Sequence, residues 1–259
     1  MTLSLVTSQL TETFFLVAAR LAGLVFTAPV LSSGYLPRML KVALILALAA
    51  ALAPSVQANA PASGIVWGLD LVVNFGIGAL IGLILSLFLS VLDMAGQVVT
   101  YELGLGLAIA SNPGLDENGS FLSEWQSLLA LFVFVATGGI ELSVIALHAS
   151  FQAIGANVMA IPVAAFSFVT GLMTSALTMT LLMAFPLLLA GFIVNMAVGI
   201  MSRAFPQMNA YYLSLPVNFG VSLLVFAAML PLLMGILPSL WNHAFTDVSR
   251  LLALLEGKP

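Results

Sequence analysis

Side chains able to do chemistry are scarce in this sequence, so each one can be weighed individually. The 259 residues hold six Lys and Arg, ten Asp and Glu, two His and no Cys. Arg20 sits inside the first apolar run, with uncharged residues for several positions on either side. An ionisable group in such a place faces a bundle interior, a water-filled cavity or a partner chain. It is expected either to pair structurally with Glu12, Asp70 or Asp93, to snorkel to a helix end, or to line a transport path. Glu141 follows Thr137-Gly138-Gly139-Ile140 inside another apolar run. At depth, desolvation would favour its neutral form and suit it to proton-linked work. Alternatively the two glycines kink the helix, and Glu141 satisfies the freed backbone groups or lies at an interface.

Enzymatic chemistry finds no support. There is no Gly-x-Ser-x-Gly elbow, no His-Glu-x-x-His and no phosphate-binding Gly-x-x-x-x-Gly-Lys. His148 and His243 are far apart and lack a serine-partner motif, while Asp70 and Asp93 flank an apolar run rather than interrupt it. Cysteine-based metal sites and disulfides are excluded, and no cofactor is expected. The few scattered basic residues give no electrostatic footprint for nucleic acid.

The least hydrophobic stretch, residues 93–124, carries five carboxylates and no basic residue. It reads either as an acidic solvent loop or as a glycine-rich segment lining a pore. Gly104-Leu105-Gly106 permits close backbone approach, and non-helical backbone at membrane depth is tolerated only inside protein or beside a cavity. Residues 111–120 are dense in turn formers. Methionines, frequent in the second half, either fill helix interfaces or seal a pore around varied cargo.

The elements that must position these residues follow from composition. Charged residues are 6% of the chain and hydrophobic ones 62%, far from a soluble domain. The expectation is an all-α, integral membrane protein with six or seven hydrophobic helices. Apolar runs cover about residues 12–31, 38–56, 64–92, 125–148 and 158–201, the last long enough for two spans or a hairpin. A final run reaches Trp241 and a mixed tail follows. The runs are continuous rather than alternating, which excludes barrel strands. The first run is read as a helix of the mature protein, because Glu12 and Arg20 interrupt it and no basic residue precedes it. Arg38 and Lys41 place the first turn in the cytoplasm by the positive-inside rule.

Three collinear stretches resemble the FliR family, called SctT in virulence injectisomes. The first is Arg20-Leu21-Ala22-Gly23 through Thr27-Ala28-Pro29, with Leu36-Pro37-Arg38, Lys41 and a closing Ala53-Pro54. The second is Ala95-Gly96-Gln97 through Gly104 and Ala108 to Asn112-Pro113. The third is Arg203-Ala204-Phe205-Pro206-Gln207, with Pro216 and Pro231 beyond. Glu102 stands where the family usually has Gln, Asn112 where Asp is usual, and Thr137-Gly138-Gly139-Ile140 where Asn-Gly-His is common. The resemblance implies an inner-membrane pore subunit of the flagellar type III export gate, located in the basal body and without enzymatic activity. It would assemble with FliP and FliQ homologues into a helical gate, with FlhB and FlhA around it and unfolded polypeptides as cargo. It also implies a FliP-like part over about 1–155 and a FliQ-like hairpin with a C-terminal tail over about 156–259. Gly104, Leu105, Gly106, Leu107, Ala108, Asn112 and Pro113 map onto the family's plug loop. Arg20, Pro29, Pro37, Arg38, Gln97, Glu141, Arg203, Pro206 and Gln207 are expected to serve structure and assembly. A proton-coupled small-molecule transporter and the injectisome homologue are the alternative readings.

Overall fold

The computed structural model describes residues 2–32, 36–56, 64–102, 121–157, 161–204 and 210–256, and among these there is no strand. Among the described residues eight α-helices follow in order: α1 (Thr2–Thr27), α2 (Pro29–Ser32), α3 (Arg38–Leu52), α4 (Gly64–Glu102), α5 (Phe121–Ala136), α6 (Gly139–Ile154), α7 (Val163–Ala204) and α8 (Ala210–Glu256). Among the described residues five helices are long and apolar enough to cross a membrane, or six if the bent pair α5–α6 counts as one span.

Local sequence explains most boundaries. Ala28 precedes Pro29, and the residue before a proline is pushed out of the α region, so α1 stops there. Pro37 caps α3 with extended backbone, and Pro54 ends that helix in a 3₁₀ turn. Gly138 is left-handed (φ 76°), a conformation cheap only without a Cβ, and the chain bends there by 67° between α5 and α6. The apolar run 158–201 does not divide into two spans. Residues 163–204 form the single 42-residue helix α7, which carries Pro186 in its interior. Nor does the last run end at Trp241. The 47-residue α8 continues to Glu256, because Ala244, Val248, Leu251, Leu252 and Leu255 keep an apolar stripe buried past the charged Asp247 and Arg250. Likewise α4 extends ten residues beyond Leu92, through Asp93 to Glu102.

The chain forms two compact units. The first comprises Met1–Phe88, Phe134–Met173 and Leu240–Pro259. Its interior holds Leu16, Leu21 and Leu24 of α1, Ile77, Ile81 and Leu85 of α4, and Leu147 of α6. In a bilayer apolar burial no longer drives helices together, so close backbone packing must. Gly23 of α1 lies against the backbone of Phe75 and Ala79, and Gly78 and Gly82 of α4 lie against Arg20 and Ala28. No Cβ fits at any of the three. The Thr27 hydroxyl donates to Gly23 O at 2.8 Å and lies 3.2 Å from Ala79 O across the contact. Elsewhere in this unit Trp241 tilts against Phe134, with centroids 4.5 Å apart.

The second unit comprises Leu89–Val133 and Thr174–Ser239. Leu92 and Val99 of α4, Ala130 of α5, Leu187 of α7 and Phe226, Leu233 and Leu237 of α8 form its core. Asn195 meets Asn218 and Leu187 shares the core with Phe226, so α7 and α8 run antiparallel.

The glycine contacts give a direct test. Gly78→Val drives a branched side chain into the α1 backbone and should destabilise the chain by about 3 kcal/mol or more. Gly171→Ala, where a Cβ meets nothing within 4 Å, should be neutral or raise stability by up to about 1 kcal/mol. Thermal melting of the purified variants in detergent distinguishes the two.

Candidate functional site

The most constrained polar feature of the first unit is Arg20, a cation with no exposed surface. It projects from the face of α1 that also carries Thr13, Leu16, Val17 and Leu24. Its Nε donates to Asn74 Oδ1 at 2.9 Å, Nη1 to Ser150 Oγ at 3.0 Å, and Nη2 to the Gly155 carbonyl at 2.6 Å. The guanidinium carbon lies 3.9 Å from the centroid of the Phe151 ring, a cation–π contact that strengthens when desolvated. Among the described residues the ion pair is Asp247–Arg250, and Arg20 has no carboxylate partner. The expected pairing with Glu12, Asp70 or Asp93 is therefore replaced by neutral acceptors from α4, from α6 and from the turn after it. The planar five-donor guanidinium suits such divergent acceptors, whereas a lysine ammonium would not span them.

Each acceptor is itself held. Asn74 is fully buried, and its Nδ2 donates to Asp70 O at 2.7 Å and to Ala156 O at 2.8 Å. Ser150 is fully buried and donates to Leu147 O at 2.6 Å. Gly155 ends α6 with φ 73°, its N–H on Phe151 O at 2.9 Å, which turns its own carbonyl toward Arg20. Asp70, 2% exposed, accepts from Asn157 Nδ2 at 3.2 Å. One node thus ties α1, α4 and the end of α6 together. It lies beside a cavity of about 430 Å³ lined by Ser55, Val56, His148, Phe151, Gln152 and Gly155. A cation ringed by neutral hydrogen bonders orients helices. It offers no nucleophile, and among the described residues no group of three metal ligands occurs.

The other expected site residues scatter. Pro29 is buried at the start of α2, while Pro37 and Arg38 are exposed at the start of α3. Gln97 is exposed and donates to Asp93 at 3.2 Å on the same helix. Glu141 is exposed in the first turn of α6, where a negative charge complements the helix dipole. Arg203 is exposed in the last turn of α7, favourable for the same reason. Glu102 turns its carboxylate against the bare backbone at Gly191 of α7, where a Cβ would collide with it. Gly104, Leu105, Gly106, Leu107, Ala108, Asn112, Pro113, Pro206 and Gln207 lie outside the described residues.

Asn74, Ser150 and Gly155 escape sequence reading. Asn74 left a signal: it is the only carboxamide in the run 64–92, and it is followed at four-residue steps by Gly78 and Gly82. Such a polar-small-small stripe marks a helix contact face.

Removing either partner strands the other. Arg20→Met and Asn74→Leu should each cost about 3 kcal/mol. The double variant should cost less than the sum, by a coupling of about 0.5–3 kcal/mol. Arg20→Lys should not restore stability. Denaturation of the four proteins in detergent provides the cycle, and strict additivity would show that the node is not a unit.

With the geometry established, likeness to known proteins assigns the family. The family described as bacterial export proteins, family 1, matches residues 11–244. Flagellar biosynthetic protein FliR of Escherichia coli (strain K12) is 26% identical over 241 residues, covering 93% of this chain and 91% of that protein. FliR of Pectobacterium carotovorum subsp. carotovorum is 25% identical over 243 residues, with 93% and 91% covered. Surface presentation of antigens protein SpaR of Salmonella typhimurium is 27% identical over 220 residues, with 82% of each chain covered. Matched by that family over nearly its whole length, the chain belongs to the bacterial export proteins, family 1.

Proposed function

We propose that this chain is a pore subunit of the flagellar type III export gate in the bacterial inner membrane, conducting unfolded polypeptides and catalysing no covalent step. One physical observation supports an assembled wall over a solitary carrier. Exposed apolar side chains run along α7 from Val163 to Ile200, a rise of roughly 55 Å at 1.5 Å per residue. The hydrocarbon core is about 30 Å thick. Fitting a straight stretch of that length inside it needs a tilt of roughly 57°, beyond the usual range of about 0–40°. Part of that surface must then be covered by protein. FliP and FliQ homologues are the proposed cover, with FlhB and FlhA around the assembly. Residues 1–155 act as the FliP-like part, and α7 with α8 forms the FliQ-like hairpin. A solitary proton-coupled transporter would have no use for apolar surface that outruns the bilayer.

A closed gate must hold back ions yet yield to a polypeptide. Residues 104–114, with three glycines (Gly104, Gly106 and Gly114) and no formal charge, suit a plug held by packing rather than by ion pairs. The SpaR likeness, as high as that to FliR, supports a second reading in which the same mechanism serves an injectisome. Genes adjacent to this one decide the cargo.

Deleting residues 104–114 should make cells that carry the assembled gate leak ions at rest, and membrane conductance equal to that of the intact gate would reject the plug. Separately, Arg203→Ala or Pro206→Ala should reduce recovery of the chain with its FliP and FliQ homologues by affinity purification. Undiminished co-purification would remove these residues from assembly. The intact chain expressed alone should transport no solute. Uptake into vesicles containing only this protein would favour the carrier instead.

A further inference from the structure

The last residue of α4 is a carboxyl that nothing in the second unit neutralises. Glu102 is partly buried, and among the described residues it has neither a hydrogen-bond donor nor an ion pair. It lies one turn after Val99, and Gly191 lies one turn after Leu187. Val99 and Leu187 share the apolar core of this unit, so Glu102 continues the face of α4 that packs there. Its Oε2 rests on buried Gly191 of α7, where any Cβ would collide with it. The seat exists because residue 191 is glycine.

Neighbouring charges do not balance it. From Val163 to Ser202 α7 has no ionisable group, and its Arg203 stands 12 residues beyond Gly191, roughly 18 Å along the helix. Arg203 is also the only Lys or Arg of the second unit. Within that unit α8 offers Tyr211 and Tyr212 alone, and α5 offers Glu124, an acid that disfavours a second negative charge. On α4 itself the nearest ionisable groups are exposed Tyr101 and, about two and a half turns back, Asp93, which accepts from the Gln97 amide.

The seat treats the two protonation states differently. An ionised carboxylate only accepts hydrogen bonds. Around Gly191, inside α7, the backbone N–H groups are already engaged in the helix, which leaves weak Cα–H contacts. The neutral acid has an O–H to donate, and a helix carbonyl keeps a lone pair for a side-chain donor. Glycine leaves those carbonyls uncovered.

We propose that Glu102 is a proton-binding group of this chain. Neutral, it seats against Gly191 and joins the end of α4 to α7. Ionised, its side chain turns out to water and the contact opens. The ligand is the proton, and the site goes beyond the gate-subunit reading without depending on it.

Dicyclohexylcarbodiimide reports this state, because it couples to carboxyls that are neutral in apolar surroundings. A reagent nitrogen takes the carboxyl proton, the carboxyl oxygen bonds to the central carbon, and the adduct rearranges to a stable N-acylurea with nothing released. The full-length chain is treated in detergent, and adducts are mapped by mass spectrometry. At about pH 6, where an exposed glutamate is almost fully ionised, the Glu102 adduct should exceed those on exposed Glu141 and Glu256 at least about tenfold. At about pH 9 it should fall to their level. Gly191→Ala, which fills the seat, should bring it to their level already at the lower pH. Gly220→Ala, where a Cβ meets nothing within 4 Å, should leave it unchanged. Glu102→Gln keeps a donor without a charge, so it should abolish the adduct and leave melting undiminished. Melting of Gly191→Ala separates loss of the seat from loss of fold, and the unaltered chain decides even if that variant fails to fold. Equal labelling of Glu102 and Glu141 in the unaltered chain, labelling of Glu102 that ignores pH, or full labelling in folded Gly191→Ala would each overturn the inference. Co-purification with other subunits is untouched by any of these results, so the functional reading stands or falls separately.

Discussion

A guanidinium removed from water is expensive, by several kcal/mol even after relaxation, and the first unit is arranged around meeting that cost. Arg20 needs acceptors at three nitrogens, and they come from Asn74, Ser150 and the Gly155 carbonyl. Each demand propagates. Asn74 reaches Arg20 because Gly78 and Gly82 let α4 lie against the backbone of α1. Gly155 presents its carbonyl because α6 ends there at a glycine with φ 73°. Ser150 and Phe151 meet the same guanidinium because α6 buries Ser143, Leu147, Ser150 and Phe151 along one face. The spacing of the glycines and the end point of a helix are thus consequences of one charge.

Neutral acceptors suit this location better than a carboxylate would. A buried ion pair trades two desolvation costs for one attraction and leaves a charged orphan if either member moves. Hydrogen bonds to a single cation, about 1.5–3 kcal/mol each, come from groups already fixed by their own helices. Asn74 is anchored to Asp70 O and Ala156 O, and Ser150 to Leu147 O. The node is therefore rigid without depending on the protonation of a second group.

The sequence made some of this legible. Continuous apolar runs specify an all-α membrane protein, and Pro29, Pro37 and Gly138 mark boundaries because proline and left-handed glycine act locally. Arg20 stands out as a charge among apolar residues. Its partners do not, since they lie 54, 130 and 135 positions away and are common residue types. Length misleads where local breakers are overridden. Pro186 lies inside α7, and Pro216, Pro231 and Pro238 lie inside α8, because neighbouring helices and local adjustment absorb the lost backbone bonds. The end of α8 was hidden by charge, although its apolar stripe persists at helical spacing to Leu255. Glu141 lies exposed in the first turn of α6, because Gly138 breaks the run and starts a new helix there.

The charged node and the flanks of the long helices differ in how they are finished. Arg20, Asn74 and Ser150 are hydrogen-bonded within the first unit, although the α3 span of that unit is 17% buried. In the second, α7 and α8 leave Leu181, Phe185, Phe192, Leu224 and Leu232 open, and their spans are 28% and 22% buried. Such exposure does not weaken the helices, whose backbone hydrogen bonds are internal to each segment and need no neighbour. It does mean that their lateral packing is incomplete in one chain. A helix that satisfies its own backbone but not its flanks can survive insertion and wait for a neighbour. A charge such as Arg20 cannot wait, because its orphaned state is costly from the moment it leaves water. The placement follows that logic: the feature that must be completed at once is completed within the chain, and the surfaces that tolerate delay are left for assembly.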